Sequence, residues 1–118
     1  MLDVSKNGII TVNRGDVFSL DVLVNAGSVI EPVIYPMLEG DKLYFALMEP
    51  KQPFEFALIR KVFTKDDQDE YGNVRMNFLS TDTEYLVPGK YYYTVKLFRA
   101  NEELVDTIIS KTQFIIID

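Results

Sequence analysis

The sequence predicts an all-β sandwich of seven to nine short strands, and three observations lead to this fold class. Apolar and polar residues alternate with a period of two over most of the chain. Turns rich in glycine, proline, asparagine and aspartate separate the alternating segments at regular intervals. No stretch of helical length repeats its apolar residues every three to four positions. We therefore expect residues 1–118 to form one domain built from packed strands.

The first half of the chain contains four of the expected strands. They are IITVN, DVFSLDVLV, KLYFALM and FALIRKVFT. In the second, the apolar side chains of Phe18, Leu20, Val22 and Val24 face one way, which is typical of a half-buried strand. In the third, both sets of alternating residues are apolar, so this strand is covered on both faces or presents one face to a partner. The long segment between the second and third strands is rich in glycine and proline and leaves little room for a helix.

The second half of the chain shows the same pattern of alternating segments separated by turns. NVRMNFL predicts an inward face of Val74, Met76 and Phe78. STDTEYL is a corner that can hold one helical turn capped by Ser80. YYYTVKLF is the strongest strand pattern, RANEE is a hairpin turn, and LVDTIIS with TQFIIID forms one long bent strand or two short ones.

Composition and charge exclude several classes of function. The chain has no histidine, cysteine or tryptophan. It therefore lacks Ser-His-Asp and Cys-His nucleophile systems, the usual zinc ligands and disulfides, and we expect neither catalysis nor a cofactor or metal. Twelve basic and eighteen acidic residues give a net charge of −6, which argues against nucleic-acid and membrane partners. No signal peptide or membrane-spanning apolar run is visible.

Arg14-Gly15-Asp16 spells an adhesion tripeptide, but its position favours a turn. The glycine stands between two polar residues and between two expected strands, which is ordinary turn chemistry. Asp16 leads directly into strand alternation, whereas an adhesion tripeptide needs the tip of a long loop. We interpret the motif as a turn.

The acidic segment KDDQDEYGN resembles part of a calcium loop. Counted from Asp67, the third position is Asp69 and the sixth is Gly72, as in an EF-hand. The fifth and twelfth positions are Tyr71 and Phe78, which supply no suitable ligand. A solvated hairpin turn is the favoured interpretation.

Tyrosines mark both the predicted core and the predicted corner. Tyr91 and Tyr93 share the inward face of their strand, so their hydroxyls need partners at the rim of the core. Tyr92 points the opposite way and is either a packing residue or part of a binding face. Tyr85 stands where sandwich domains often place a corner tyrosine that bonds back to the backbone.

Two apolar stretches are candidate contact surfaces. The final strand carries consecutive apolar residues, which either lie in a well-covered strand or receive cover from a partner chain. The two-faced strand KLYFALM raises the same alternative. The candidate interface residues are Tyr44, Ala46, Met48, Tyr92, Phe114, Ile115, Ile116 and Ile117.

Three motifs in this order resemble a known family. They are the turn Arg14-Gly15-Asp16, the strand GDKLYF from Gly40 to Phe45, and the corner LVPGKYYYTV from Leu86 to Val95. The chain resembles, over nearly its whole length, the N-terminal immunoglobulin-like domain of phage baseplate upper proteins and related phage structural proteins of Gram-positive hosts. The motifs consist of turn and core residues, so they indicate the fold and give little information about activity.

The resemblance implies an immunoglobulin-like sandwich in a non-enzymatic virion protein of the tail, baseplate or head. Such a protein assembles in the host cytoplasm by protein–protein contacts with other phage structural proteins or with further copies of itself. Baseplate upper proteins continue into a longer stalk or fibre-binding region, whereas this sequence ends at Asp118. Two alternatives stay open at this point: a module that binds carbohydrate or another host-surface ligand, and a phage protein that blocks a host enzyme.

Overall fold

The computed structural model describes residues 2–25, 33–100 and 105–118. Over these residues it contains eight strands, one short α-helix and two single-turn 3-10 helices. The strands are β1 (Leu2–Val4), β2 (Ile10–Asn13), β3 (Phe18–Leu23), β4 (Lys42–Met48), β5 (Ile59–Phe63), β6 (Asn73–Phe78), β7 (Gly89–Phe98) and β8 (Val105–Ile117). The helix is α1 (Ser80–Thr83), and the 3-10 turns are Phe54–Phe56 and Lys65–Asp67.

The strands form two sheets that pack face to face. The large sheet has the order β1-β2-β8-β7-β4-β5, with β2 and β8 parallel and its other pairs antiparallel. The small sheet pairs β3 with β6 antiparallel. The order β8-β7-β4-β5 opposite β3-β6 is that of the G-F-C-C′ and B-E strands of immunoglobulin-like sandwiches. The predicted all-β sandwich is confirmed, and its eight strands fall in the expected range.

An aromatic cluster at the centre of the core joins the two sheets. Phe18 and Phe78 of the small sheet stack with their ring centroids 4.7 Å apart. The ring of Phe45, from the large sheet, meets that of Phe78 edge-on at 4.9 Å. Phe114 packs against both Phe45 and Phe18, with each centroid distance 6.3 Å. Edge-to-face and stacked rings at these distances contribute beyond the area they bury, so this cluster helps to hold the two sheets together.

The predicted inward faces are confirmed for most strands. The alternating apolar residues of β6 and the inward tyrosines, valine and leucine of β7 are all buried. The described parts of the segments LVDTIIS and TQFIIID belong to one long strand, β8, and not to two short ones. The pairing of β8 with β7 shifts register around Val95. Two stretches lie outside the described residues: residues 26–32 of the predicted long connection, and residues 101–104, which include the end of the predicted hairpin turn and the first residue of the predicted strand LVDTIIS.

The hydroxyls of the inward tyrosines find backbone acceptors, as the sequence requires. Tyr93 donates to the carbonyl oxygen of Gly8 at 2.6 Å, and burial raises the pKa of Tyr93. Tyr91 donates to the carbonyl oxygen of Val87, four residues upstream. Burial, followed by the charge of Glu49, raises the pKa of Tyr91. Tyr91 is therefore the corner tyrosine of this sandwich.

Two details of the predicted corner were wrong. Tyr85 is not the corner tyrosine, because its side chain is 85% exposed. Ser80 does not cap α1, since it is the first residue of the helix and Leu79 holds the N-cap position. The carboxylate of Asp82 accepts the Leu79 amide at 2.7 Å and does the capping from within the helix.

Candidate functional site

Four of the predicted interface residues share the outer face of the large sheet. Tyr44, Ala46 and Met48 alternate with the core residues of β4, and Met48 pairs with Tyr92 on β7. Ala46 and Met48 are nonetheless buried, while Tyr44 and Tyr92 are half-buried. The structure therefore brings the four together, but two of them are not accessible to a partner.

The chain itself covers this part of the outer face. The ring of Phe54, in the segment between β4 and β5, lies 6.1 Å from that of Tyr44 and 6.0 Å from that of Phe98. The Arg60 guanidinium stacks 4.6 Å above the ring of Phe54 and donates to its carbonyl oxygen at 2.9 Å. These contacts hold the segment on the sheet. Phe54 thus covers the part of the second face of β4 around Tyr44, as in the alternative of a strand covered on both faces.

The last strand divides its predicted interface residues between two faces. Phe114 and Ile116 are buried in the core, opposite Ile10 and Val12 of β2. Ile115 and Ile117 point to the other face, where Ile115 is half-buried and Ile117 is exposed. Over residues 114–116, β8 lies between β2 and β7, so both backbone edges of this stretch are paired. This is the well-covered alternative, and only Ile117 of the four is open to contact.

A groove of about 250 Å³ lies on the outer face beside the covering segment. Met48, Phe54, Thr94, Lys96, Thr107, Ser110 and Lys111 line it. The Thr94 hydroxyl donates to the Ile109 carbonyl at 2.7 Å, and the Lys111 ammonium donates to the Gln52 carbonyl at 2.9 Å. Among the described residues, the lining of this groove offers hydroxyl and ammonium groups and includes no carboxylate.

The Arg14-Gly15-Asp16 segment is a tight turn between β2 and β3, as predicted. The Asp16 carboxylate accepts the Asn13 amide at 3.2 Å, and the Asp16 amide donates to the Asn13 carbonyl at 3.1 Å. Gly15 has a φ of +83°, a conformation that favours glycine. Its amide donates to the buried Thr83 hydroxyl of α1 at 2.9 Å. The tripeptide therefore fastens the β2–β3 turn to the helical corner.

The acidic segment before β6 uses its carboxylates for backbone hydrogen bonds. Asp67 accepts the Thr64 amide at 2.8 Å. One oxygen of Asp69 accepts the amides of Tyr71 and Asn73 at 2.9 and 2.8 Å. Among the described residues, no three acidic, histidine or cysteine side chains gather as metal ligands would. The segment is a hydrogen-bonded turn, as favoured.

Asp41 is a buried carboxylate that the sequence did not single out as a site. It accepts the Tyr35 hydroxyl at 2.7 Å and the amides of Leu38 and Ala100 at 3.0 Å. Burial by itself raises the pKa of Asp41, but these three hydrogen bonds and the charge of Arg99 hold that pKa below its ordinary value of 3.8. Every contact is internal, so Asp41 ties the β3–β4 connection to the end of β7 and is structural.

Four large apolar side chains are strongly exposed at the end of the sandwich that carries the β2–β3 turn. We name this set the apolar end: Val17, Leu79, Tyr85 and Val87. Their exposed fractions are 72%, 60%, 85% and 73%. Val17 precedes Phe18 and Leu79 follows Phe78, and because Phe18 and Phe78 are paired, the two residues lie just beyond the adjacent ends of β3 and β6.

Short hydrogen bonds hold the backbone around the apolar end. The Gly15 amide donates to the Thr83 hydroxyl and so joins the β2–β3 turn to α1. The Asp82 carboxylate accepts the Leu79 amide, and the Tyr91 hydroxyl donates to the Val87 carbonyl. A hydrogen bond from the Tyr85 hydroxyl to the Glu84 carboxylate, together with its charge, raises the pKa of Tyr85. Sequence reasoning missed this site because it assigned Tyr85 the role of a corner tyrosine bonded to the backbone. The only hint was the run of apolar residues around a polar helical turn.

No protein-family model, curated protein or solved structure matches the chain. None of the helices in the described residues has the length and apolar character needed to cross a bilayer.

Proposed function

We propose that this chain is a non-enzymatic structural protein of a phage particle, acting through protein–protein contacts in the tail, baseplate or head. The observation that carries the contact function is the apolar end, where four large apolar side chains are more than half exposed. Exposed apolar residues gathered on one surface mark interaction sites, since scattered ones are ordinary and grouped ones are not. The phage setting rests on the resemblance of the turn, strand and corner motifs.

The geometry of the apolar end suits a docking surface. Tyrosine presents a large rigid ring with few rotatable bonds, so ordering it against a partner has a small entropic cost. The backbone beneath is fixed by the Gly15–Thr83 hydrogen bond and by the Tyr91 corner, so binding requires little rearrangement. The acidic character of the whole chain favours a neutral or basic partner surface.

The phage setting is tested by the composition of particles. Phage particles purified by density gradient from a host carrying this gene should contain the chain at a fixed ratio to the other structural proteins, measured by quantitative mass spectrometry. Reproducible absence of the chain from infectious particles would overturn the virion assignment.

The contact function is tested by two matched tyrosine variants. Tyr85→Ala should prevent the chain from joining particles or assembly intermediates, because it removes the most exposed ring of the apolar end. Tyr71→Ala is the control, since Tyr71 is also exposed but lies in the β5–β6 connection at the opposite end. Equal incorporation of both variants would reject the apolar end as the docking surface.

A glycan array separates this proposal from the carbohydrate-binding alternative. The purified chain should bind no glycan on the array. Saturable binding to a host-surface glycan that Tyr85→Ala abolishes would replace the assembly function with ligand binding. Light scattering after size-exclusion chromatography then shows whether the docking partner is a further copy, which would give a stable oligomer, or a different protein, which would leave a monomer.

A further inference from the structure

In the described residues the small sheet has two strands and the large sheet six, so the sandwich has two lateral sides where the core reaches the surface. One side lies between the edge strands β5 and β6, and we name it the guarded side. The other lies between β1 and β3, and we name it the open side. The two differ in the residues that occupy the gap.

A lysine fills the guarded side. Lys61 of β5 pairs with the core residue Phe45 and points inward. Its ammonium lies 2.9 Å from the Asp82 carboxylate and 5.1 Å from the centre of the Phe78 ring. An inward-pointing charge on an edge strand is a recognised protection against the addition of another strand.

An apolar cleft of about 170 Å³ opens on the other side. Its walls include Val4 and Ile10 from the N-terminal hairpin and Leu20 from β3. Deeper residues of the large sheet, including Phe45, Tyr93 and Ile109, line it as well. In the part of the chain that the structure describes, Asp21 is the one charged residue that lines the cleft. Asp21 pairs with Arg75 of β6 at 3.1 Å.

The backbone of β3 faces this cleft with an unpaired edge. Within the described residues, β3 pairs only with β6. The Val24 amide donates to the Gly72 carbonyl, and this fixes which residues of the antiparallel ladder bond to β6. Because bonded and non-bonded pairs alternate, Leu20 and Val22 bond to β6. Ser19, Asp21 and Leu23 therefore direct their amides and carbonyls to the open side.

The size and charge of this site select its occupant. A cleft of about 170 Å³ receives one or two side chains, far less than the roughly 800 Å² per partner that a stable globular interface buries. Unpaired amides and carbonyls at every second residue require an extended backbone. The charged residues of β1 and β3 are Asp3 and Asp21. Arg75 pairs with Asp21, so Asp3 and the net charge of −6 are what favour a neutral or basic segment.

We propose that the open side accepts an extended segment of a partner protein, which pairs with β3 as an added strand and places alternate apolar side chains in the cleft. The paired stretch spans about five residues, from Ser19 to Leu23. The proposal deepens the contact function and rests on the proposed function only for the expectation that the partner is another particle protein.

The test uses a library of random twelve-residue peptides displayed on yeast, selected against the purified chain. The selected peptides should share an alternating pattern of apolar residues and carry neutral or basic flanks. When a synthetic selected peptide binds, the amides of Asp21 and Leu23 should exchange with deuterium more slowly, while those of β5 should be unchanged.

Two variants at one position separate backbone pairing from charge. Asp21→Pro removes the amide that points to the open side and leaves the bonds to β6 intact, so it should weaken peptide binding about tenfold or more. Asp21→Ser loses the same ion pair but keeps the amide, so its affinity should stay within about twofold of the parent. If Asp21→Pro does not fold, Leu20→Phe, which fills the cleft, replaces it and should weaken binding equally.

Three results would overturn the inference: no peptide binds, the selected peptides lack alternation, or Asp21→Pro binds as well as Asp21→Ser. Slower exchange at Asp21 and Leu23 on raising the concentration of the chain alone would identify a second copy as the occupant and reject a partner segment. Absence of the chain from particles would instead overturn the proposed function and leave peptide binding unaffected.

Discussion

The guarded and open sides of the sandwich are both places where the core reaches the surface, and different residues line the two gaps. Both arise because a two-stranded sheet is too narrow to cover a six-stranded one. On the guarded side, the stem of Lys61 fills the gap and its charge is paired with Asp82. On the open side, apolar residues line a cleft next to an unpaired strand edge. The two sides therefore differ in that a paired lysine occupies one gap, whereas in the described residues the other gap lies beside a strand edge without a partner strand.

The largest expected effect comes from removing the ring beneath the guarded side. Phe78→Ala leaves a cavity between Phe18, Phe45 and Lys61, and should lower the free energy of unfolding by about 3–5 kcal/mol. Ile109→Ala on the open side should lower it by about 1–2 kcal/mol, because Ile109 is half-buried beside an existing cleft. Urea denaturation of both variants measures the difference. Equal losses would contradict the distinction between a filled and an unfilled side.

Asp41 lies on neither the guarded side nor the open side, so a variant at this position gives a stability change with which the variants of both sides can be compared. Asp41→Asn should lower the free energy of unfolding by about 1–3 kcal/mol at pH 7, because it removes a carboxylate that accepts three hydrogen bonds. Since the folded-state pKa of Asp41 is lowered, its stabilisation is present above the unfolded pKa of about 3.9 and is lost as the pH falls through the folded pKa. The difference between parent and variant should therefore shrink below about pH 4. Unfolding measured from pH 7 to pH 2 checks this, and a constant difference would contradict it.

Lys61 offers the sharpest test of the guarded side itself. Lys61→Ala should lower the free energy of unfolding by about 1–2 kcal/mol, because it exposes Phe78 and leaves Asp82 without its cation. Lys61→Met keeps the apolar stem and should recover part of this loss. The charge also protects the edge, so Lys61→Met should self-associate more than the parent in sedimentation experiments. A monomeric Lys61→Met would show that the outward residues of β5 are sufficient protection.

The smallest expected effect is an increase in the free energy of unfolding, caused by a substitution on the open side. Leu20→Phe adds apolar volume next to the cleft and should raise the free energy of unfolding by up to about 1 kcal/mol. Val74→Leu adds volume to a fully buried position of the small sheet and should lower it by about 1–3 kcal/mol. Thermal unfolding of the pair compares them directly. A loss in Leu20→Phe similar to that in Val74→Leu would mean that the cleft is too tightly packed to accept a side chain.

Local pattern was sufficient to predict much of the core but little of the candidate site. The alternation in β6 and β7 predicted their inward residues because period two is a property of any strand. The same pattern showed that β4 is apolar on both faces. It did not show that Phe54 covers the second face, because that contact depends on the path of the intervening loop. The corner tyrosine was misplaced for a similar reason, since Tyr85 and Tyr91 both precede or begin a strand and only the turn geometry distinguishes them.

The sequence by itself determined the class of the fold, the positions of most strands and the absence of histidine and cysteine chemistry. These follow from composition and from periodicity that neighbouring residues impose on each other. Only the tertiary structure decided which strand edges lack a partner among the described residues, that Lys61 points inward, and that Val17 and Leu79 lie at the same end of the sandwich. Strand pairing joins residues far apart in the chain, and a one-residue change of register would reverse every face, so no local pattern contains this information.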